Sequence, residues 1–149
     1  MAKIFFGCSM RGGYDAVSRE DLARLPDIIE KLGYELASRH QTQKGVIQKE
    51  DKLTKTAIHD RDYRWETESD VGVFEISNPS LGVGGEISDM LHLGKPVLCL
   101  FRKGLEGQVS AYTQGKKGSQ YVTTSFECSP YESLEDARNK IREFVEANS

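Results

Sequence analysis

The densest chemistry in this sequence stands in one stretch, Ser80 to Phe101, SLGVGGEISDMLHLGKPVLCLF. Gly82, Gly84 and Gly85 run into a lone carboxylate, Glu86, and an amphipathic pattern through Ile87, Met90 and Leu91 follows. Glycines let a sugar or phosphate lie against the backbone, Pro79 stiffens the turn, and Ser80 adds a hydroxyl. A carboxylate placed there either begins a solvent-facing helix or attacks a bound ligand. A helix N-terminus favours the ionised form, so Glu86 is expected to be a carboxylate at neutral pH.

A second loop, CSMRGGYD, offers the Ser9 hydroxyl, the Arg11 guanidinium fork and the unblocked backbone N–H groups of Gly12 and Gly13. Those groups suit a single phosphate, although Arg-Gly-Gly also makes an ordinary solvated turn. A third segment, HDRDYRWETESD, carries Asp60, Asp62, Glu66 and Asp70. Its plainest reading is a solvated acidic face with Trp65 as a core anchor. A carboxylate near the end of such a helix also reaches a neighbouring pocket, and two carboxyl groups in unlike environments are what glycosyl transfer requires.

The elements that must position these residues alternate as in an α/β domain. Lys3 to Ser9 reads as a buried strand, and Ser18 opens a helix pattern that Gly33 closes, with Pro26 inside it as a kink or a late start. Tyr34 to Ser38 is a short second strand, Gln41 to Thr54 a long polar loop, and Thr54 to Glu68 a helix. Val71 to Ile76 is a third strand, followed by the helix to His92. Pro96 to Phe101 is a fourth strand, Gln120 to Phe126 a fifth, and Ser133 to Ala147 the last helix. The expected fold is therefore a single-domain, flavodoxin/Rossmann-like, five-stranded parallel sheet with helices on both faces. Ligands of such sheets bind beyond the carboxyl ends of the strands, where both glycine loops fall.

Composition narrows the function. With 149 residues the chain suits one domain, and 20 Lys and Arg against 23 Asp and Glu give a formal charge of −3. A nucleic acid polymer is thus not an expected partner, whereas a local cluster can still hold one phosphate. Cys8, Cys99 and Cys128 lack CxxC spacing and read as reduced thiols; His40, His59 and His92 lack ligand spacing, so neither metal nor other cofactor is expected. No signal peptide or membrane-spanning run is evident, which points to a cytoplasmic protein, or a nuclear one in a eukaryote.

Taken together, FFGCSMRGG, RDYRW, EISNPSLGVGGEI and GKPVLCLFR resemble the 2'-deoxynucleoside 5'-monophosphate N-glycosidases, within the nucleoside 2-deoxyribosyltransferase-like superfamily. The resemblance implies hydrolysis of the N-glycosidic bond, with Glu86 as the nucleophile at the anomeric carbon and Asp62 handling the proton of the leaving base. It places Ser9, Arg11, Gly13 and Ser80 around the 5'-phosphate, and it implies a homodimer in which Ser110 reaches the neighbouring subunit's phosphate. The chain departs from the pattern where Gly85 replaces a tyrosine before the glutamate, and where Phe5 replaces a tyrosine near the sugar 2'-position. Ribonucleotides therefore stand beside deoxyribonucleotides as substrates. A nucleoside 2-deoxyribosyltransferase is the nearest alternative, but those enzymes carry an acidic residue at the place of Ser80, which would repel a phosphate. A non-catalytic nucleotide-binding module is the alternative outside enzymes.

Overall fold

The structure is a computed structural model that describes residues 1–10, 16–38 and 51–149. Arg11, Gly12 and Gly13, and most of the loop expected from Gln41 to Thr54, lie outside those residues. Five strands, β1 (Lys3–Cys8), β2 (Glu35–Leu36), β3 (Val71–Glu75), β4 (Val97–Arg102) and β5 (Phe126–Tyr131), form one parallel sheet in the order β2-β1-β3-β4-β5. This is the flavodoxin-like order, whose direction of winding reverses between β1 and β3.

Alternation along the strands divides the core. Ile4, Phe6, Cys8, Val71, Val73, Leu98 and Leu100 point to one face, where they meet α1 (Arg19–Lys31) and α5 (Leu134–Ala147). Phe5, Phe74, Val97, Cys99 and Phe101 point to the other, against α3 (Leu81–His92) and Trp65 of α2 (Lys55–Glu68). Residues two apart on a strand share a face, so β1, β3 and β4 bury both rows and read as continuous apolar runs, while the edge strands β2 and β5 do not.

The helix starts follow from local chemistry. Ser18, Thr54, Ser80 and Ser133 each cap a helix by accepting a hydrogen bond from the backbone N–H three residues on. Each cap satisfies a donor that the first turn leaves without an intrahelical acceptor. Pro26 is buried inside α1, which continues through it to Lys31, and Gly33 closes the helix at a φ of 94°. A short helix, α4 (Ala111–Gln114), is capped by Ser110 and was not anticipated from sequence.

The fifth strand begins at Phe126, where the expected one ends. Gln120 to Ser125 is a turn segment with Tyr121 86 % exposed, and the ladder with β4 starts at Phe126 and runs through Pro130. The β-branched and aromatic residues of QYVTTSF fit a strand only where a neighbouring surface covers them. A proline is tolerated in β5 because, among the described residues, it is an edge strand of the sheet.

Candidate active site

The loops after β1 and β3 meet at the reversal of winding, and three contacts fix them there. Asn78 Oδ1 accepts from the Val17 N–H at 2.9 Å while its Nδ2 donates to the Val17 carbonyl at 2.8 Å, which staples the two loops together. Glu75, buried at the end of β3, accepts from the Ser77 N–H at 2.6 Å, the Ser77 hydroxyl at 3.0 Å and the Tyr131 hydroxyl at 2.6 Å. Burial still holds its carboxyl above the usual range against these donors. Arg19 donates to the Met10 carbonyl and draws the first loop towards α1.

On this frame Ser80 caps α3, with its Oγ accepting from the Val83 N–H at 3.2 Å. The helix begins at Leu81, so Gly82, Gly84 and Gly85 are helical and Glu86 stands in the second turn. Its carboxyl lies over the C-terminal end of β1: a Cβ on Gly7 would stand 3.3 Å from Glu86 Oε1 and 2.6 Å from Phe74 Cδ1. Only glycine at position 7 leaves the carboxyl and the Phe74 ring where they are. Burial, followed by the negative charges of Asp62, Glu66 and Asp89, pushes the Glu86 pKa well above the usual carboxylate range, while Arg61 pulls it down. The helix N-terminus therefore does not lower this pKa as its position after Ser80 suggested. Glu86 sits a turn too deep for the first-turn N–H groups and is surrounded by like charge.

Asp62 faces this carboxyl from α2. It is half-buried, and Arg61 donates to its Oδ1 from Nε at 3.0 Å and from Nη2 at 2.9 Å. The Arg61 guanidinium in turn lies 4.8 Å above the centre of the Trp65 ring. The acidic stretch from α2 to Asp70 is not one solvated face: Asp60 and Asp70 are exposed, but Glu66 is 1 % exposed. The Cys8 thiol, buried near Glu86, is pushed up to about 12, so at neutral pH it is not a competing nucleophile.

The remaining residues singled out from sequence are scattered around this centre. Ser9 is nearly buried at the end of β1, and Gly82 is exposed beside Ser80. Gly85 is exposed, with no atom within 4 Å of where a Cβ would stand, so the place of a tyrosine is open. Phe5 is 0 % exposed with its ring 5.8 Å from that of Phe74, which places it in the core under the site. Ser110 caps α4 and is exposed, and it shares with Ser80, Pro79 and Val83 the wall of a cavity of about 620 Å³. Gly7 and Asn78 carried no signal in the sequence, because the need for each is set by a partner far along the chain.

The chain is 39% identical over 115 residues to the 5-hydroxymethyl-dUMP N-hydrolase of Danio rerio, covering 75% of this chain and 77% of that protein. It is 34% identical over 140 residues to a putative 2'-deoxynucleoside 5'-phosphate N-hydrolase 1 of Thermofilum pendens, covering 93% and 92%. The chain belongs to the 2'-deoxynucleoside 5'-phosphate N-hydrolase family. No family model matches it. Among solved structures, BlsM aligns with a TM-score of 0.72 at 22% identity over 98% of this chain and 90% of that one. The Clostridium botulinum CMP N-glycosidase BcmB aligns at 0.64 and 16% over 95% and 98%. These likenesses give the N-hydrolase family member the same fold as both. Among the described residues no helix is long and apolar enough to cross a membrane.

Proposed function

We propose that the chain hydrolyses the N-glycosidic bond of (2'-deoxy)nucleoside 5'-monophosphates to free base and (2-deoxy)ribose 5-phosphate, through a covalent glycosyl-Glu86 intermediate. The observation that carries this reading is the Glu86 carboxyl lying over Gly7 at the reversal of winding, with Asp62 facing it from the neighbouring helix. Glu86 attacks C1', the C1'–N bond breaks, and the departing base takes a proton from Asp62. Water then cleaves the ester with Asp62 taking its proton, which restores both groups. Carboxylates crowded together in the free protein are relieved when positive charge develops on the sugar, so their field favours the transition state over the resting site. The steps need no group beyond this chain and water.

The test is base release from the four deoxynucleoside and four ribonucleoside 5'-monophosphates, resolved by chromatography. Free base with the matching sugar phosphate is expected from at least one of them. Absence of base from all eight, with binding retained, would leave a nucleotide-binding module.

Asp62→Asn should lower kcat by about 10²–10⁴-fold, the usual loss when general acid catalysis is removed. The loss should shrink for a nucleotide whose base departs without protonation. An unchanged kcat would return Asp62 to a merely structural role.

In our reading two chains form a homodimer, and Ser110 reaches the partner's phosphate. Ser110 is exposed and stands next to Tyr112, 81 % exposed, and near Leu81, 99 % exposed, across the cavity they share. Mixed Glu86→Ala and Ser110→Glu chains should then regain part of the activity each lacks alone, since one hybrid site has both residues intact. No rescue in a dimer demonstrated by sedimentation would instead assign Ser110 to its own subunit's Ser80 cavity.

A further inference from the structure

Glu66 and Asp89 take no part in the chemistry above, yet they are packed behind it. Asp62 and Glu66 are one turn apart on α2, Glu86 and Asp89 lie within one turn on α3, and the two helices pack together. Glu66 is 1 % exposed, and its Oε1 receives no hydrogen bond from any N–H or O–H donor of the described residues. The charge of Asp89, from the facing helix, and hydrogen bonding with it favour the protonated form of Glu66. A carboxyl buried without a donor is held in its neutral form by desolvation, and as an acid it has an O–H to give to a neighbouring carboxylate.

Among the described residues, the charges that act on Glu66 are those of Asp89 and Asp62. Glu66 faces Asp62 on its own helix and Asp89 on α3, and its charge is felt at Glu86. Arg61 is engaged by Asp62, His59 by Asp60, and Lys95 donates to the Thr67 carbonyl at 3.2 Å. From the sheet, β1 and β3 present Phe5, Gly7, Gly72 and Phe74 on this face, none of which titrates.

We propose that Glu66 is a positioning residue for base release: as a neutral acid it donates a hydrogen bond to Asp89, clamps α2 to α3, and so sets Asp62 against Glu86. The proposal rests on the roles given above to Asp62 and Glu86. Burial first, then the charges of Asp89 and Asp62, push the Glu66 pKa up to about 8. Above that pH the proton leaves, the clamp loses its donor, and four carboxylates repel one another between two helices.

The experiment follows kcat/KM for base release and thermal unfolding of the full chain between about pH 5.5 and 9.5, in wild type, Glu66→Gln and Asp89→Asn. Glutamine keeps a donor towards Asp89 and does not titrate. The wild-type rate should fall as pH rises through the Glu66 pKa, and Glu66→Gln should raise the ratio of the rate at high pH to that at low pH by about tenfold, one pH unit of a titration limb. Asp89→Asn removes the charge that holds the proton and supplies its own donor, so it should remove the same limb. A carboxyl whose folded pKa lies above its unfolded one loses stability as pH rises between the two, so Glu66→Gln should match wild type in unfolding at the acid end and exceed it at the alkaline end. Superimposable rate profiles would overturn the positioning role, and unfolding differences independent of pH would overturn the shared proton. Absence of base release in wild type would overturn the functional reading instead, while the unfolding arm still decides whether Glu66 holds a proton.

Discussion

Glu86→Gln is expected to abolish base release, with kcat down by about 10⁴-fold or more, because losing a nucleophile removes the covalent route altogether. Among the described residues Glu86 Oε1 is the carboxylate oxygen nearest a Cβ on Gly7, so its neighbours are not placed to take over. Wild-type protein stalled with a slow substrate should show a sugar phosphate adduct on Glu86 by mass spectrometry. The variant should also be more stable than wild type at neutral and alkaline pH. A Glu86 carboxyl raised above its unfolded value contributes stability only at low pH and loses it as pH rises towards its folded pKa, whereas glutamine carries no such dependence. The same shift places the acid limb of kcat/KM above the usual carboxylate range, since the nucleophile must be ionised to attack. An adduct on another residue, or an active Glu86→Gln protein, would remove Glu86 from the mechanism.

The place of Glu86 in the second turn of α3, rather than at a helix entrance, shows what the sequence alone could carry. Ser18, Thr54 and Ser133 marked three helix starts correctly because a cap is a local event, settled within three residues. The run after Ser80 looked like a loop because glycines weaken an isolated helix. Burial of Val83, Ile87 and Met90 against the sheet overrides that weakness, and it moves Glu86 from a helix entrance to a half-buried place among like charges. Glu66 was misread for the same reason. Its neighbours in sequence are polar, and only the packing of α2 against α3 buries it. Gly7 and Asn78 were illegible because their constraints come from Phe74, Glu86 and Val17, which no local pattern connects to them. The alternation of apolar and amphipathic segments, by contrast, was enough for the parallel sheet, since buried strands and covering helices both write their period into the chain.

Removing the 5'-phosphate from the substrate should have the second largest effect, and it separates hydrolase from deoxyribosyltransferase. Ser80 caps α3 with its hydroxyl, and the first-turn N–H groups of that helix face the same end as Ser9 at the close of β1. In our reading Arg11, Gly12 and Gly13 complete a site for a dianion. Hydrogen bonds to a charged group contribute about 1.5–3 kcal/mol each, so three of them correspond to roughly 10³-fold or more in kcat/KM. A nucleoside that lacks the phosphate forfeits these contacts and should turn over slower by that factor. Arg11→Ala should weaken nucleotides strongly and leave nucleosides nearly unaffected. Ser80→Asp sets a negative charge against the phosphate and should penalise nucleotides further, while a nucleoside 5'-hydroxyl can donate to the new carboxylate. The measurement is base release from a matched nucleoside and its 5'-monophosphate, with and without an added acceptor base. Equal rates for the pair, or a new nucleoside formed in preference to hydrolysis, would make the chain a deoxyribosyltransferase and would strip Ser80 of its role at the phosphate.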